Sequence, residues 1–157
     1  MGAAQGSLRL IRKGTINTMR YDSKGTAPRS YSDLEARNLA TCERMSTEML
    51  FTFDADLIDE FLAEDYIQHS TAASGGREGL RAFFRDRGDR FPDVRMAIKA
   101  AFADGDFTIF HIHTIRHAGD PGMSIMDIFR MEDGKVREHW EVLQEIPASL
   151  PHDNGIF

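Results

Sequence analysis

Asp127, His139 and Glu141 lie on two strand-like segments joined by the turn signal Asp133-Gly134. A three-residue turn, with Gly134 in the left-handed bulge position, sets Met131 opposite Lys135 and Asp127 opposite His139. Ile125 then faces Glu141 and Met123 faces Leu143. Asp127, His139 and Glu141 thereby share a face with Ile125, Phe129 and Leu143, whereas a two-residue turn shifts the register by one and separates Asp127 from His139. The preceding segment alternates Phe107, Ile109, His111, His113 and Ile115, and a matching register lays His113 beside Asp127. Carboxylates and imidazoles among large apolar side chains are costly unless they are paired or put to use. Put to use, such groups are candidates for acid/base chemistry.

Other readings of these residues stay open. Asp127 and His139 can form a purely structural cross-strand pair. His111 and His113, two apart on a strand, can bind a metal with Asp127 or His139, although no metal-ligand spacing motif supports one. His69, in Tyr66-Ile67-Gln68-His69, follows an apolar helical stretch where the chain would cross the mouth of a cavity. It is either a substrate-positioning group together with Tyr66 or a loop residue without a role. The chain has no Gly-rich phosphate loop, nucleophile elbow or paired-cysteine motif.

These groups need a scaffold, and the hydrophobic period supplies one. Ser32-Asp33-Leu34-Glu35 has capping-box spacing, and Leu39, Cys42, Met45 and Met49 follow at helical steps. A second helix is expected after Asp54, with Leu57, Ile58, Phe61 and Leu62 on one face. A third is expected from the Ser74-Gly75-Gly76 break to about Gly88. From Val94 the period drops to two, and four strands follow, with turns at Asp104-Gly105, 117–122 and Asp133-Gly134. Helices first and hairpin-linked strands afterwards predict an α+β fold with an antiparallel sheet. The far face of that sheet, with Met126, Ile128, Val136, Trp140 and Val142, has no helix left to cover it and reads as a subunit interface.

Composition narrows the field. The chain has 157 residues, 41% of them apolar, and 19 basic against 25 acidic residues leave a net charge of −6. Residues 1–31 carry six bases against Asp22 alone, for +5, and the other 126 residues carry −11. That distribution excludes nucleic-acid binding through an overall basic surface, and no apolar run approaches the ~18 residues of a membrane-spanning helix. The lone Cys42 excludes an internal disulfide and a multi-cysteine zinc site, and fits a reducing compartment such as the cytoplasm. The basic head over 1–31 reads as an arm or tail, with mitochondrial targeting as the alternative. One domain over 32–147 and a tail over 148–157 complete the expected organisation.

Several segments resemble one known family. They are Tyr66-Ile67-Gln68-His69, Gly76-Arg77-Glu78-Gly79, Phe91-Pro92, Asp104-Gly105-Asp106, Asp127-Ile128-Phe129-Arg130 and Gly134-Lys135-Val136-Arg137-Glu138-His139-Trp140. Together they resemble the SnoaL-like polyketide cyclases, a branch of the nuclear transport factor 2 and ketosteroid isomerase superfamily, and most of all the SnoaL-like aldol-condensation group. The resemblance runs from about Ser32 to Pro147. It implies a cone-shaped α+β barrel with three helices on a curved sheet, a small-molecule ligand in the cavity, and a homodimer through the sheet's outer face. It also implies aldol-type ring closure or isomerisation without cofactor or metal; the alternatives are a non-catalytic small-molecule-binding or dimerisation domain on the same fold, or a hydrolase using the same carboxylate. The family's acid/base is the carboxylate two residues after the motif histidine, here Glu141, where Asp is common. Another departure is Ser70-Thr71, where the family often has Asn-Pro after the Gln-His pair. Abstracting a proton next to a carbonyl needs a poorly solvated base and donors for the enolate oxygen, so the expected site has Glu141 as base and His139 and His113 as oxygen-holding donors or proton shuttles, with Asp127 orienting a histidine. His69, Tyr66, Ile125 and Phe129 would contact substrate.

Overall fold

The computed structural model describes residues 30–157. The basic segment read over residues 1–31, and the targeting alternative tied to it, lie outside the described residues apart from Ser30 and Tyr31. Three helices pack on one face of a curved, unclosed five-stranded sheet, as the α+β reading expects. Helix α1 spans Asp33–Met45 and carries the expected capping box, in which Ser32 caps the Glu35 amide and Glu35 answers to the Ser32 amide. It continues through a wider turn at Ser46–Leu50. Its inward residues Cys42, Met45 and Met49 are fully buried, and Asn38 and Glu35 hold Gly105 in the β2–β3 hairpin turn. A 3-10 turn over Ala55–Leu57 leads into the short α2, Ile58–Phe61, and α3 spans Gly76–Arg90.

The strands are β1 (Leu62–Gln68), β2 (Arg95–Asp104), β3 (Phe107–Ile115), β4 (Met123–Glu132) and β5 (Lys135–Glu145), in the order β1-β5-β4-β3-β2. Strands β2 to β5 form the expected antiparallel meander. Strand β1 was not expected. It adds to the edge of β5 in parallel, pairing Gln68 with His139. Leu62 therefore begins a strand rather than closing a helix, because the parallel partner lies some seventy residues away and leaves no local turn signal.

Two registers differ from expectation. The β4–β5 turn is a two-residue one: Asp133 and Gly134 both have positive φ, 51° and 77°, and Glu132 pairs with Lys135. One bulge then restores the parity, because Arg137 is extra between the pairs Met131–Val136 and Arg130–Glu138. Asp127 faces Glu141, Phe129 faces His139, Ile125 faces Leu143 and Met123 faces Glu145. The expected pairs are displaced by two residues, so the shared face survives while the partners change. The bulge also turns Val136 inward, where it is 1% exposed, and so removes it from the outer face.

The β3–β4 register reverses a face. His113 pairs with Ser124 and Phe110 pairs with Asp127, so Thr108, Phe110, Ile112 and Thr114 face inward and His111 and His113 face outward. The loop sets this parity. Gly122 returns at φ 91°, so close to the end of β3 that a Cβ there would meet the Thr114 carbonyl oxygen at 2.3 Å. His113 Nε2 donates to the Pro121 carbonyl at 2.9 Å, and the Phe157 ring lies 4.6 Å from the His113 ring. Among the described residues, no helix is long and apolar enough to cross a membrane.

Candidate active site

Between the helices and the inner sheet face lies a cavity of about 360 Å³. Its wall is mostly apolar, from Met45, Met49, Leu80 and Phe84 on the helices to Ile112, Ile125 and Phe129 on the sheet. Into this wall project Tyr66 and Gln68 from β1, Ser70 just beyond it, Asp127 from β4, and His139 and Glu141 from β5. The alternation of a strand explains the set. Tyr66, Gln68 and Ser70 are two apart and point one way, and His139 and Glu141 do the same on the neighbouring strand.

Asp127, His139 and Glu141, all expected here, come together. Their ligand-type atoms lie within 4.8 Å of one another. Although His139 is opposite Phe129, its ring reaches diagonally to Asp127, with Nε2 3.1 Å from Oδ1. The Phe129 ring stacks on the imidazole at 4.8 Å, which fixes its plane. On the other side Nδ1 is 2.9 Å from Gln68 Oε1. The Ser70 amide donates to that same Gln68 oxygen at 3.1 Å, so the oxygen, not the NH₂, faces the ring. Nδ1 must therefore carry hydrogen. The Asp127 carboxylate thus meets the second ring nitrogen at the edge of the cavity, and both imidazole nitrogens are engaged.

Glu141 accepts a hydrogen bond from the Ser70 hydroxyl through Oε1. Ser70 Oγ in turn accepts the Ala72 amide at 3.0 Å, which fixes the hydroxyl against its own backbone. Tyr66 is 6% exposed. Burial first, and then the charges of Asp127 and Glu141, push its phenol well above the ordinary value, so it remains an O–H donor. Ile125 and Phe129 line the cavity as expected.

His69 and His113 do not belong to this set. His69 leaves β1 on the opposite side from Tyr66, stacks flat on Trp140 at 4.6 Å and reaches Glu138 at 3.4 Å. Three residues apart is one face of a helix but two faces of a strand, so the unexpected strand separates Tyr66 from His69. His113 is outward by the register described above. Gln68 and Ser70 were not foreseen; the readable signal was the Gln68 beside His69, once the segment is taken as extended. The three clustered groups are also those among the described residues that could share a cation. Their committed hydrogen bonds to Gln68 and Ser70, and the one between Asp127 and His139, would have to yield to it.

The sequence profile of the SnoaL-like domain matches residues 43–139, more than half of the chain. The protein belongs to the SnoaL-like family. Solved structures agree in fold. One, provisionally named a SnoaL-like polyketide cyclase and from Jannaschia sp. CCS1, has a TM-score of 0.62 at 21% identity, covering 74% of this chain and 91% of that one. Another, provisionally named a polyketide cyclase and from Bacillus cereus ATCC 10987, has a TM-score of 0.61 at 20% identity, covering 68% and 74%. A third, provisionally named a ketosteroid isomerase and from Kribbella flavida DSM 17836, has a TM-score of 0.61 at 16% identity, covering 78% and 89%. No functionally curated protein matches the SnoaL-like chain. The cone-shaped architecture of the nuclear transport factor 2-like superfamily is therefore shared, at identities where likeness speaks for fold alone.

Proposed function

We propose that this SnoaL-like protein is a cofactor-independent acid/base enzyme. It removes a proton next to a carbonyl of a small organic molecule held in the cavity, as an aldol-type cyclase or isomerase. The observation that carries this reading is the convergence of Asp127, His139 and Glu141 within 4.8 Å in a mostly apolar cavity. Glu141, positioned by Ser70, takes the Cα proton, and Tyr66 donates to the enolate oxygen as charge develops. In the cyclase version the enolate carbon bonds to a second carbonyl carbon of the same molecule as that C=O π bond opens. The resulting alkoxide takes a proton from His139, which Asp127 orients. The proton on Glu141 later restores the pair, so the reaction is a net isomerisation.

The test is solvent deuterium incorporation at the α-carbon of a bicyclic aryl ketone such as 2-tetralone, followed by NMR. The protein should accelerate exchange, and Glu141→Gln should slow it by about 10²-fold or more. Equal rates for the two proteins would remove Glu141 as the base. The reading also includes a homodimer through the outer sheet face. What supports that part is the row of exposed apolar side chains there, Phe107, Met126 and Val142.

A further inference from the structure

The cavity has a second polar end that the chemistry above does not use. Thr114 pairs with Met96 on one side and Met123 on the other, and Met123 pairs with Glu145. This row lies four residues along β4 from Asp127, about 13 Å at the rise of a strand. Here the last turn of α3 and the start of β2 meet, and Arg87, Phe91, Val94 and Met96 join the wall.

Two arginines line this end, and they differ sharply. Arg116 is saturated: it bonds Asp120 at 2.8 and 3.1 Å and Glu145 at 2.9 and 2.8 Å. The Arg87 side chain makes no hydrogen bond among the described residues. Its nearest carboxylate, Asp86, is 3.9 Å from Nε, and that Nε is buried without a partner. Its guanidinium is instead framed by two rings, with Cζ 5.0 Å from the centre of Phe83 and 5.7 Å from Phe91. Thr114, 6% exposed, adds a buried hydroxyl that also lacks a partner among the described residues. A buried donor left unmade is costly, and a ligand that satisfies it recovers that cost.

We infer that Arg87, framed by Phe83 and Phe91 and supported by Thr114, is the binding subsite for a carboxylate on the substrate. The substrate is then a keto acid: a carbonyl at the Asp127–His139–Glu141 end and a carboxylate at the α3 end, joined by an apolar body. One guanidinium without a hydrogen bond, whose ion-pair partner Asp86 is distant and half exposed, neutralises a single charge, and its planar fork matches a carboxylate. Arg87 positions and selects the substrate; it takes no part in the proton transfers.

The inference rests on the cavity being the substrate site, but its test does not need turnover. Binding of 2-naphthoate and of its neutral isostere 2-naphthamide is measured by isothermal titration calorimetry. The wild-type protein should prefer the acid by about tenfold or more, the usual worth of a hydrogen bond to a charged group. Arg87→Gln should abolish that preference while the amide binds as before. Arg87→Met, which keeps an aliphatic stem between the rings, takes its place if the first variant does not fold. Glu141→Gln should retain the preference, so lost exchange activity with retained selectivity speaks against the base and not against this subsite. Equal affinities for acid and amide in the wild type, no binding of naphthoate, or an unchanged preference without Arg87 would each overturn the inference.

Discussion

On the cavity face His139 meets Asp127 at 3.1 Å, with side chains 12% and 10% exposed. On the outer face His69 meets Glu138 at 3.4 Å, with side chains 39% and 19% exposed. Both pairs join an imidazole to a carboxylate across neighbouring strands. They differ in what else each partner touches. Glu138 is also bound by Arg130 Nε at 2.5 Å, which fully commits the carboxylate, and His69 lies flat on Trp140. Among the described residues Asp127 makes no ion pair with Arg or Lys; it meets His139, whose second nitrogen is tied to Gln68, and both face an apolar cavity. A histidine–carboxylate pair becomes chemically useful through its surroundings, since screening and competing ion pairs make the exposed version nearly inert.

The strongest way to break that contrast is to neutralise one carboxylate on each face. Asp127→Asn should lower kcat/KM for α-proton exchange by about 10²–10⁴-fold, the range for a lost acid/base partner. Glu138→Gln should leave it within about threefold, as for a surface substitution away from the chemistry. Comparable losses from both would mean that the inner pair acts only through the fold.

The same contrast shows what could be read before the fold was known. The inner trio was legible because alternation survives a register error of two, which the two-residue turn and the Arg137 bulge produce together. His113 was not, because the two faces of β3 are nearly equally apolar and only the 116–122 loop, through Gly122, decides which faces the helices. His69 was misplaced for a different reason. Strand β1 exists only by virtue of a distant parallel partner, so nothing local distinguishes Leu62–Gln68 from the end of a helix. With β1 unseen, Gln68 and Ser70 could not be assigned, although they hold His139 and Glu141 in place.

If the outer face is apolar for association and not for chemistry, a charge there should act on assembly alone. Val142 is 67% exposed beside Met126. Val142→Glu should weaken the homodimer by about 10²-fold, the cost of an unpaired charge in a buried contact. Sedimentation velocity at several concentrations reads this directly. A wild-type protein that sediments as a monomer throughout would remove the dimer.

A smaller difference should appear in acid. Arg130 first, and His69 after it, hold the Glu138 carboxyl below its ordinary value of 4.5. A carboxyl depressed in the folded state stabilises above its unfolded value and loses that contribution as pH falls through the folded one. The wild type should therefore lose melting temperature faster than Glu138→Gln as pH drops below 4.5, and the two should run parallel above about pH 6. Parallel curves throughout would show that the outer pair contributes nothing to stability.

The smallest expected effect is none, and it separates two uses of the inner cluster. Asp127, His139 and Glu141 are close enough to share a divalent cation. Taking one up would break the contact between His139 and Asp127, because a metal ligand must be deprotonated at the binding atom and its lone pair turned to the ion. It would also pull Glu141 from Ser70, whose hydroxyl is already set by the Ala72 amide. Proton transfer uses those same bonds as they stand. Exchange activity should therefore be unchanged after exhaustive dialysis against EDTA, and adding Zn²⁺ should inhibit it by occupying the base. Loss of activity on chelation, restored by a divalent cation, would reassign the trio from proton transfer to metal binding.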